Sequence, residues 1–444
     1  MDSGHGFAVD LLQSPEVSAL KDSDRRLATE IVMGVLRWRG ELDYIIERIA
    51  KRKLALIDPE VRTVLRMGAY QIRFLERVPK RAVVDDAVEM TKTALKRSAA
   101  GFVNAVLRKC DPPKVHLAGR NFEDFTRENQ DSIRRAFPAW LLKRWEEAAA
   151  SMGDPGHLGA LRLAYASLAT PRTTLRVVAA DANLSEVQRE LASEGVATAN
   201  CTYAISHGLS VESGQVQNTR AYREGRVVIQ DEASQLVAEL LSPRTGQRVL
   251  DLCAAPGMKA GQLAQTLGDG VLVACDRSSA RLRTMAKLLP PWIPAAVHLS
   301  MVRLDAALEL PFENKFDRIL LDAPCTGTGT LARNPEIKWR LTPEDITRLA
   351  ALQVTMLGNA MPALAEGGRL VYATCSLEPE ENAGVVDKVL KELPGYRMLS
   401  ADELAQEHPH LKALFDARGY FQTRPHLHPM DGFNAVVIVR KGSV

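Results

Sequence analysis

The stretch of residues 248–265, RVLDLCAAPGMKAGQLAQ, limits the possible folds of this chain more than any other. Val249 to Leu252 form a short apolar run, which is typical of a buried parallel strand. Residues 254–257 end that strand, and a helical pattern resumes near Lys259. Small residues at a strand-to-helix turn let a ligand approach the backbone and leave helix N–H groups free to donate. The stretch therefore predicts a ligand-binding turn at the edge of a parallel sheet.

A second apolar run, residues 271–274, leads to Asp276, which lies 25 residues after Asp251. An acidic residue at the end of the second strand is where doubly wound folds hold a ribose through its hydroxyls. From Gly225 onward, strand and helix patterns alternate, as such a sheet requires. We therefore predict a Rossmann-like domain that binds a nucleoside-bearing cofactor. Its candidate strands are 248–252, 271–276, 297–304, 318–322, 368–374 and 434–440, with a helix at 343–361.

The composition is that of an ordinary globular protein with several domains. The 444 residues are 46% hydrophobic and 25% charged, and no apolar run approaches the roughly 20 residues that a membrane span needs. The N-terminus lacks the features of a signal peptide, so we expect a cytoplasmic protein with no membrane partner. The six cysteines form no C-x-x-C pair, which argues against a disulfide framework or a zinc site. We expect no metal, and we place the histidine pairs 408/410 and 426/428 on the surface.

The first quarter of the chain reads as helical and basic. Apolar residues recur at helical spacing between Asp24 and Ile49, and Asp58-Pro59-Glu60 reads as the start of a further helix. Between Arg48 and Lys109 there are 15 Lys or Arg residues against six acids. Such an excess indicates either a surface that binds an RNA phosphate backbone or simply a solvated helix surface, and the charge by itself favours neither reading.

This region resembles the NusB-like helical RNA-binding domain, and the resemblance implies an RNA-binding role for it. The matching residues are Asp24 to Ala28, Asp58 to Arg62, Gly68 to Gln71, Pro79 and Phe102 to Arg108. The strand and helix patterns from Thr174 to Val228 predict a small α/β module without chemistry of its own. We therefore predict three domains: a helical domain at 1–138, a small α/β linker module at 139–224 and the Rossmann-like domain at 225–444.

Two cysteines and an acid follow strands of the predicted sheet. Asp322 and Cys325 lie in the loop DAPCTGTG after one strand, and Cys375 follows another in the sequence YATCS. Because parallel strands end at one edge of a sheet, we expect these groups to converge there with Asp251. A thiolate is a good nucleophile, and N–H groups or the cation of Lys259 could favour its formation. Two thiols and a carboxylate suit attack on carbon 6 of a pyrimidine, methylation at carbon 5 and removal of the carbon-5 proton.

The motifs DLCAAPGMK, LDAPCTGTG and YATCSLEPEEN resemble those of the RNA 5-methylcytosine methyltransferases. The resemblance implies a class I methyltransferase domain that uses S-adenosylmethionine and acts on small-subunit ribosomal RNA. We expect the protein to be a monomer. The resemblance further implies that Cys375 is the nucleophile and that Cys325 serves in product release. Asp322 is expected to contact the cofactor or the edge of the base and to help protonate the ring. The residues that the resemblance implies for cofactor binding are Cys253, Ala254, Ala255, Pro256, Gly257, Met258, Lys259, Asp276, Asp305 and Asp322.

Two residues depart from the family pattern, which usually has glycine and threonine on either side of the motif lysine. Met258 adds bulk near the expected cofactor, and Ala260 lacks a hydroxyl. A nicotinamide-dependent oxidoreductase is an alternative, but the first loop lacks the G-x-G-x-x-G spacing. An amino-directed methyltransferase would have an aromatic residue where Cys325 stands. A catalytically inactive RNA-binding factor for ribosome assembly or antitermination is the remaining alternative, which the two cysteines with Asp322 argue against.

Overall fold

The computed structural model describes residues 7–111, 121–151, 156–178, 183–313 and 315–441. The chain forms two compact units. The first, called the helical unit below, comprises Met1–Thr170 together with Leu331–Arg340. The second, called the sheet unit, comprises Pro171–Thr330 and Leu341–Val444. Within the described residues, no helix is both long and apolar enough to cross a membrane.

The helical unit is built around a long helix whose apolar residues face its neighbours. Trp38 and Tyr70 both stack on Phe74, each with ring centroids 5.0 Å apart. The Tyr70 hydroxyl donates to Glu30 at 2.6 Å, and Gly34 allows close contact because a Cβ there would lie 1.9 Å from the Tyr70 ring. The helices of residues 7–170 are α1 (Ala8–Leu11), α2 (Pro15–Ser18), α3 (Asp22–Ala50), α4 (Pro59–Phe74), α5 (Lys80–Thr93), α6 (Ala100–Arg108), α7 (Arg127–Arg135), α8 (Ala139–Ser151) and α9 (Gly156–Leu168).

The segment Leu331–Arg340 packs in the helical unit although it follows the Cys325 loop in sequence. The Trp339 indole N–H donates to the carbonyl oxygen of Leu36 at 2.7 Å. The buried Lys338 ammonium donates to the carbonyl oxygen of Arg37 at 2.8 Å and lies 3.8 Å from the ring centre of Phe137. The helical unit is therefore completed by residues that sequence order would assign to the other half of the chain.

The sheet unit begins with a small antiparallel sheet of four strands in the order β2-β3-β1-β4. Leu175, Leu191 and Val227 belong to its fully buried core. The buried Arg176 of this sheet donates to Gln230 at 2.7 Å and to Gln265, on a helix of the larger sheet, at 2.5 Å. The elements are β1 (Thr174–Val177), α10 (Leu184–Ser193), β2 (Ala197–Asn200), β3 (Gly208–Ser213), α11 (Arg220–Arg223) and β4 (Val227–Ile229).

The larger sheet has eight strands, seven of them in the order β10-β12-β9-β8-β5-β6-β7, with β11 paired to β12. Successive residues of one central strand face two different buried clusters, Val249 one and Leu250 the other. The apolar run in the sequence follows from this burial on both faces. The elements are α12 (Glu232–Glu239), β5 (Arg248–Asp251), α13 (Met258–Leu267), β6 (Gly270–Asp276), α14 (Ser279–Leu288), β7 (Val297–Arg303), β8 (Phe316–Asp322), α16 (Pro343–Ala360), β9 (Leu364–Thr374), α17 (Ala383–Glu392), β10 (Tyr396–Met398), α18 (Ala401–Glu407), β11 (Phe421–Gln422) and β12 (Asn434–Arg440), whereas α15 (Ile337–Arg340) belongs to the helical unit.

The strands β5 to β9 are parallel, and β12 runs antiparallel to β9. The chain passes from β5 to β6 and β7 on one side and then returns to β8 on the other side of β5. Such a reversal of strand order opens a crevice at the carboxyl ends of β5 and β8, where α/β sheets bind ligands. The predicted combination of a helical N-terminal region and a Rossmann-like sheet is confirmed.

The predicted surface position of His408 is wrong. Its side chain is buried, with Nδ1 3.5 Å from Glu239 and Nε2 3.3 Å from the Ser242 hydroxyl. Leu411 and Leu414 follow His408 closely in the chain and pack in the apolar core. His408 is therefore buried with them, and Glu239 is its polar partner. His410 lies 2.8 Å from the same Glu239 carboxylate. Among the residues that the structure describes, no cluster of His, Cys, Asp or Glu has the arrangement of a metal site.

Candidate active site

Three acids and a cysteine end neighbouring strands at one edge of the sheet. Asp251, Asp276 and Asp322 are the last residues of β5, β6 and β8, and Cys375 follows the last residue of β9. All four strands are parallel, so these residues lie at the carboxyl edge, as expected from the sequence. The edge includes the point where the strand order reverses.

The two motif cysteines touch each other. The Sγ atoms of Cys325 and Cys375 are 3.3 Å apart, and both residues are half-buried free thiols. A sulfur at this distance can exchange a proton directly with its neighbour or act on an atom bonded to it. The other three cysteines without a motif, Cys110, Cys201 and Cys275, are buried. Burial raises the pKa of Cys201 and of Cys275 to about 12, so these thiols are unreactive.

Lys259 and Asp322 form an ion pair beside the thiols. The Lys259 ammonium donates to Asp322 Oδ2 at 2.7 Å, and it lies 5.2 Å from the ring centre of Phe433. Burial alone lowers the pKa of Lys259, but the charge and hydrogen bond of Asp322 outweigh that effect and the charge of Cys375 adds to the rise. The lysine pKa therefore lies above its ordinary value, and the site keeps a fixed cation next to its carboxylate.

The environment of Cys325 favours the protonated thiol. The hydrogen bond with Cys375 and burial raise its pKa well above the ordinary range, and the negative charges of Cys375, Glu381 and Asp322 act in the same direction. The expectation that the surroundings favour a thiolate therefore does not hold for Cys325. A thiol of high pKa becomes the stronger base once it has lost its proton.

Asp251 is a buried acid with an unused hydrogen-bonding atom. Its Oδ1 accepts the backbone N–H of Cys253 at 3.3 Å, whereas Oδ2 has no hydrogen-bond partner among the described residues. Burial and the charge of Asp322 raise the pKa of Asp251 to about 7. A buried acceptor without a donor is costly. Its position below the crevice therefore fits a site in which a polar ligand supplies the missing donor.

Replacing Asp251 with asparagine should raise the free energy of unfolding at pH 8 by roughly 2–4 kcal/mol. Between the ordinary carboxyl pKa of 3.8 and the folded-state value of about 7, the folded protein keeps a proton that the unfolded chain has released. Stability therefore falls as the pH rises through this window, and Asn escapes the penalty because it does not ionise. Urea unfolding of both proteins at pH 5 and pH 8 measures the difference. If the two proteins differed in free energy of unfolding by the same amount at pH 5 and pH 8, ionisation of Asp251 would not be the cause.

The loop between β5 and α13 has the strand-to-helix turn that the sequence predicted. Gly257 has a φ of 111° and precedes the helix that begins at Met258, so the first N–H groups of α13 are directed toward the loop. Ala254 and Ala255 are buried, Pro256 is exposed and Cys253 is half-buried. The two departures from the family pattern differ in their setting: Met258 packs against the apolar core, and Ala260 is fully buried in it.

Asp276 and Asp305 occupy the strand ends beyond this loop. Asp276 is buried, and Arg281 lies 3.1 Å from its carboxylate and also donates to the carbonyl oxygen of Ala255. Asp305 is partly exposed, and its carboxylate accepts the backbone N–H of Ala307 at 3.0 Å. Sequence reasoning missed Arg281, although a basic residue in the first turn of the helix after an acidic strand end is a usable signal.

Sequence reasoning also missed Glu381, which is fully buried behind the cysteines. It lies in the YATCSLEPEEN motif, but only Cys375 of that motif was assigned a role. Its carboxylate accepts hydrogen bonds from Thr326 and Ser376, the residues that follow the two cysteines. The signal in the sequence is an acid and an amide, Glu381 and Asn382, soon after a cysteine loop at a strand end.

The parallel sheet, the glycine turn with acidic strand ends and the thiol pair together define a Rossmann-like methyltransferase domain joined to a NusB-like helical region. Residues 238–438 match the family model for the 16S rRNA methyltransferase RsmB/F, and residues 5–112 match that of the NusB family. The chain belongs to the RsmB/F family of 16S rRNA methyltransferases.

Similar proteins cover nearly the whole chain. The probable ribosomal RNA small subunit methyltransferase B of Bacillus subtilis (strain 168) is 32% identical over 430 residues, which is 95% of this chain and 92% of that protein. The ribosomal RNA small subunit methyltransferase B of Pseudomonas putida is 32% identical over 424 residues, covering 91% and 90%. The crystal structure of PH0851 shares the fold, with a TM-score of 0.77 and 23% identity over 96% of this chain and 92% of that one.

Proposed function

We propose that this protein transfers a methyl group from S-adenosylmethionine to carbon 5 of a cytosine in 16S ribosomal RNA, through a covalent adduct between Cys375 and carbon 6. The contact between the two thiols beside the Lys259–Asp322 pair is the observation that carries the proposal. Family membership supports the methyltransferase class and the ribosomal RNA substrate. The base must leave its stack to reach this edge of the sheet.

Cys375 attacks carbon 6 as the thiolate, so a bond forms between its Sγ and that carbon. The electron pair of the ring double bond moves toward carbon 5 and makes that atom nucleophilic. Lys259 stabilises the negative charge in this region, and Asp322 holds the lysine and contacts the edge of the base. S-adenosylmethionine supplies the methyl group that carbon 5 accepts.

Release requires loss of the carbon-5 proton and breakage of the bond between Cys375 and carbon 6. Once Cys375 is bonded to carbon 6, the hydrogen bond and charge of its thiolate no longer raise the pKa of Cys325, so Cys325 loses its proton to solvent and takes the carbon-5 proton as a thiolate. The electron pair then restores the double bond between carbons 5 and 6, and Cys375 leaves as a thiolate. The 3.3 Å separation of the sulfur atoms supports this role, because Cys325 lies next to the atom that carries the substrate.

The residues at the crevice fit an S-adenosylmethionine site. The unpartnered Asp251 Oδ2 offers an acceptor, and the turn at Gly257 lets a ligand approach the start of α13. We assign the cradle to residues 253–259, with Asp276 at the ribose and Asp305 near the adenine. Arg281 orients Asp276 through their ion pair.

The helical unit holds the RNA through its phosphates. Several of its basic residues are neutralised by acids of the same unit, such as Arg66 by Asp43 at 2.6 Å. Within the described part of the unit, Arg97, Arg108 and Lys109 are exposed and form no ion pair. Such residues remain available for phosphate contacts, which supports the RNA-binding interpretation of the charge excess.

Replacing Arg108 and Lys109 together with glutamine should weaken RNA binding in a salt-dependent way. The slope of log affinity against log salt concentration should become shallower by about 1–2 because up to two phosphate contacts are lost. Titration of labelled small-subunit RNA at several salt concentrations measures this slope. Lys388 and Lys391, exposed on α17, provide a control with the same charge change. Equal slopes for the two double variants would contradict phosphate binding at Arg108 and Lys109.

The reaction is tested with 16S ribosomal RNA from a strain that lacks the enzyme and S-adenosylmethionine with a labelled methyl group. We expect the label in 5-methylcytosine after digestion of the RNA to nucleosides and mass analysis. Label in another nucleoside would contradict the proposed position of transfer. RNA binding without any methyl transfer would favour the non-enzymatic alternative.

A further inference from the structure

One buried carboxylate is bonded to the residue that follows each of the two cysteines. Glu381 Oε1 accepts the backbone N–H of Thr326 at 3.0 Å, and its Oε2 accepts the hydroxyl of the same threonine. Oε2 also accepts the Ser376 hydroxyl at 2.5 Å. Thr326 follows Cys325 and Ser376 follows Cys375, so a single side chain ties together loops that leave β8 and β9. The two hydroxyls are themselves 3.0 Å apart.

Within the part of the chain that the structure describes, the burial of the Glu381 carboxylate is compensated by hydrogen bonds and not by a cation. Glu381 is fully buried, and no cation lies within ion-pair distance of it among the described residues. Its fourth hydrogen bond comes from Gln353 Nε2 at 2.9 Å, and that amide also donates to the carbonyl oxygen of Pro324 in the Cys325 loop. A buried carboxylate is tolerated only with such compensation. All of its donors belong to the two cysteine loops or to the helix behind them.

The next residue fixes the other side of Cys375. Asn382 Oδ1 accepts the Thr374 hydroxyl at 2.6 Å, and Asn382 Nδ2 donates to the carbonyl oxygen of Ser376 at 3.0 Å. Both neighbours of Cys375 in the chain are therefore bonded to the Glu381-Asn382 pair. The Cys375 loop cannot shift toward or away from Cys325 without breaking several of these bonds.

We propose that Glu381 is a positioning residue that holds the two cysteine loops together and so sets the separation of the two sulfur atoms. The effect of this positioning on turnover rests on the proposed function, in which product release needs both sulfur atoms in place and attack needs only Cys375. Loss of the carboxylate should therefore impair release more than attack. The positioning itself does not depend on which reaction the site performs.

Three variants and a control separate positioning from general stability. Glu381→Gln keeps the size of the side chain but replaces one acceptor with a donor. Thr326→Val removes the hydroxyl on the Cys325 side, and Ser376→Ala removes the one on the Cys375 side. The control is Tyr372→Phe. The Tyr372 hydroxyl belongs to the same buried cluster, donating to the Glu381 carbonyl at 2.6 Å and to Gln353 Oε1 at 3.2 Å, but it bonds directly to neither cysteine loop nor to the Glu381 carboxylate.

The first measurement needs no RNA and uses oxidised glutathione as the probe. One glutathione disulfide oxidises the thiols of Cys325 and Cys375 to one disulfide and yields two reduced glutathione molecules. Closure of this disulfide, followed by peptide mass analysis, reports how often the sulfur atoms meet. We expect closure to be slower by about tenfold or more in the three variants and unchanged in Tyr372→Phe. Closure at the wild-type rate in Glu381→Gln would overturn the proposal.

The second measurement is the ratio of covalent protein–RNA adduct to methylated product. We expect this ratio to rise by about tenfold in Glu381→Gln and to stay at the wild-type value in Tyr372→Phe. Equal changes in both variants, in proportion to their loss of thermal stability, would show that Glu381 has only a structural role. If wild type forms no 5-methylcytosine, the proposed function fails, and the glutathione measurement alone still decides whether Glu381 positions the sulfur atoms.

Discussion

Replacing Cys325 with alanine should leave a covalent complex between protein and RNA that survives a denaturing gel, whereas replacing Cys375 should abolish both the complex and methylation. In the proposed mechanism Cys375 forms the bond to carbon 6, so its loss should lower the methylation rate by at least about 10⁴-fold. Without Cys325 the adduct forms but the carbon-5 proton stays, and the bond to Cys375 cannot break. The RNA assay for 5-methylcytosine is run on the same samples.

Cys201→Ala serves as the control, because that thiol is buried away from the sheet edge and burial raises its pKa to about 12. It should behave as wild type in both assays. An adduct with Cys375→Ala and none with Cys325→Ala would exchange the two roles. Undiminished methylation by both variants would rule out a thiolate mechanism at this site.

Replacing Lys259 with methionine should lower kcat by about 10²–10³-fold, since fixed charges in a site that excludes water make large contributions to catalysis. The variant leaves the Asp322 carboxylate without the cation that it contacts at 2.7 Å. It also removes the positive charge that favours ionised Asp251, so two neighbouring acids lose the same partner. Single-turnover methylation at saturating S-adenosylmethionine measures the effect separately from cofactor binding.

Lys287→Met is the matched control, because Lys287 is exposed on α14 and its loss should leave kcat unchanged. Lys259→Arg should retain part of the activity, because arginine keeps the positive charge but replaces the compact ammonium with a planar guanidinium. An unchanged kcat for Lys259→Met with a higher KM for S-adenosylmethionine would limit Lys259 to a role in cofactor binding.

The local elements and the strand ends could be predicted because both depend on short-range patterns. A strand covered on both faces must be apolar throughout, so the strands near 249 and 319 are visible in the sequence. Parallel connections then require that Asp251, Asp322 and Cys375 share one edge. The placement of these groups follows from chain direction alone and needs no knowledge of packing.

The partners of these groups could not be predicted in the same way. Lys259 and Asp322 are 63 residues apart, and Glu381 meets Thr326 across 55 residues. An acid and an amide soon after a cysteine loop draw attention to Glu381, but the local pattern does not show that its carboxylate is buried and bonded to both cysteine loops. The prediction for His408 failed for the same reason, since its burial depends on Glu239 and on the leucines beside it.

The alternation of strands and helices, the class of the larger sheet and the edge at which its acids and thiols lie could all be predicted from the sequence. Those properties follow from the periodicity of apolar residues and from the direction of the chain. Three findings required the folded structure: the two sulfur atoms lie 3.3 Å apart, the Glu381 carboxylate is hydrogen-bonded to both cysteine loops, and Leu331–Arg340 completes the helical unit. These contacts join distant parts of the chain, and they arise where burial forces each polar group to find a partner.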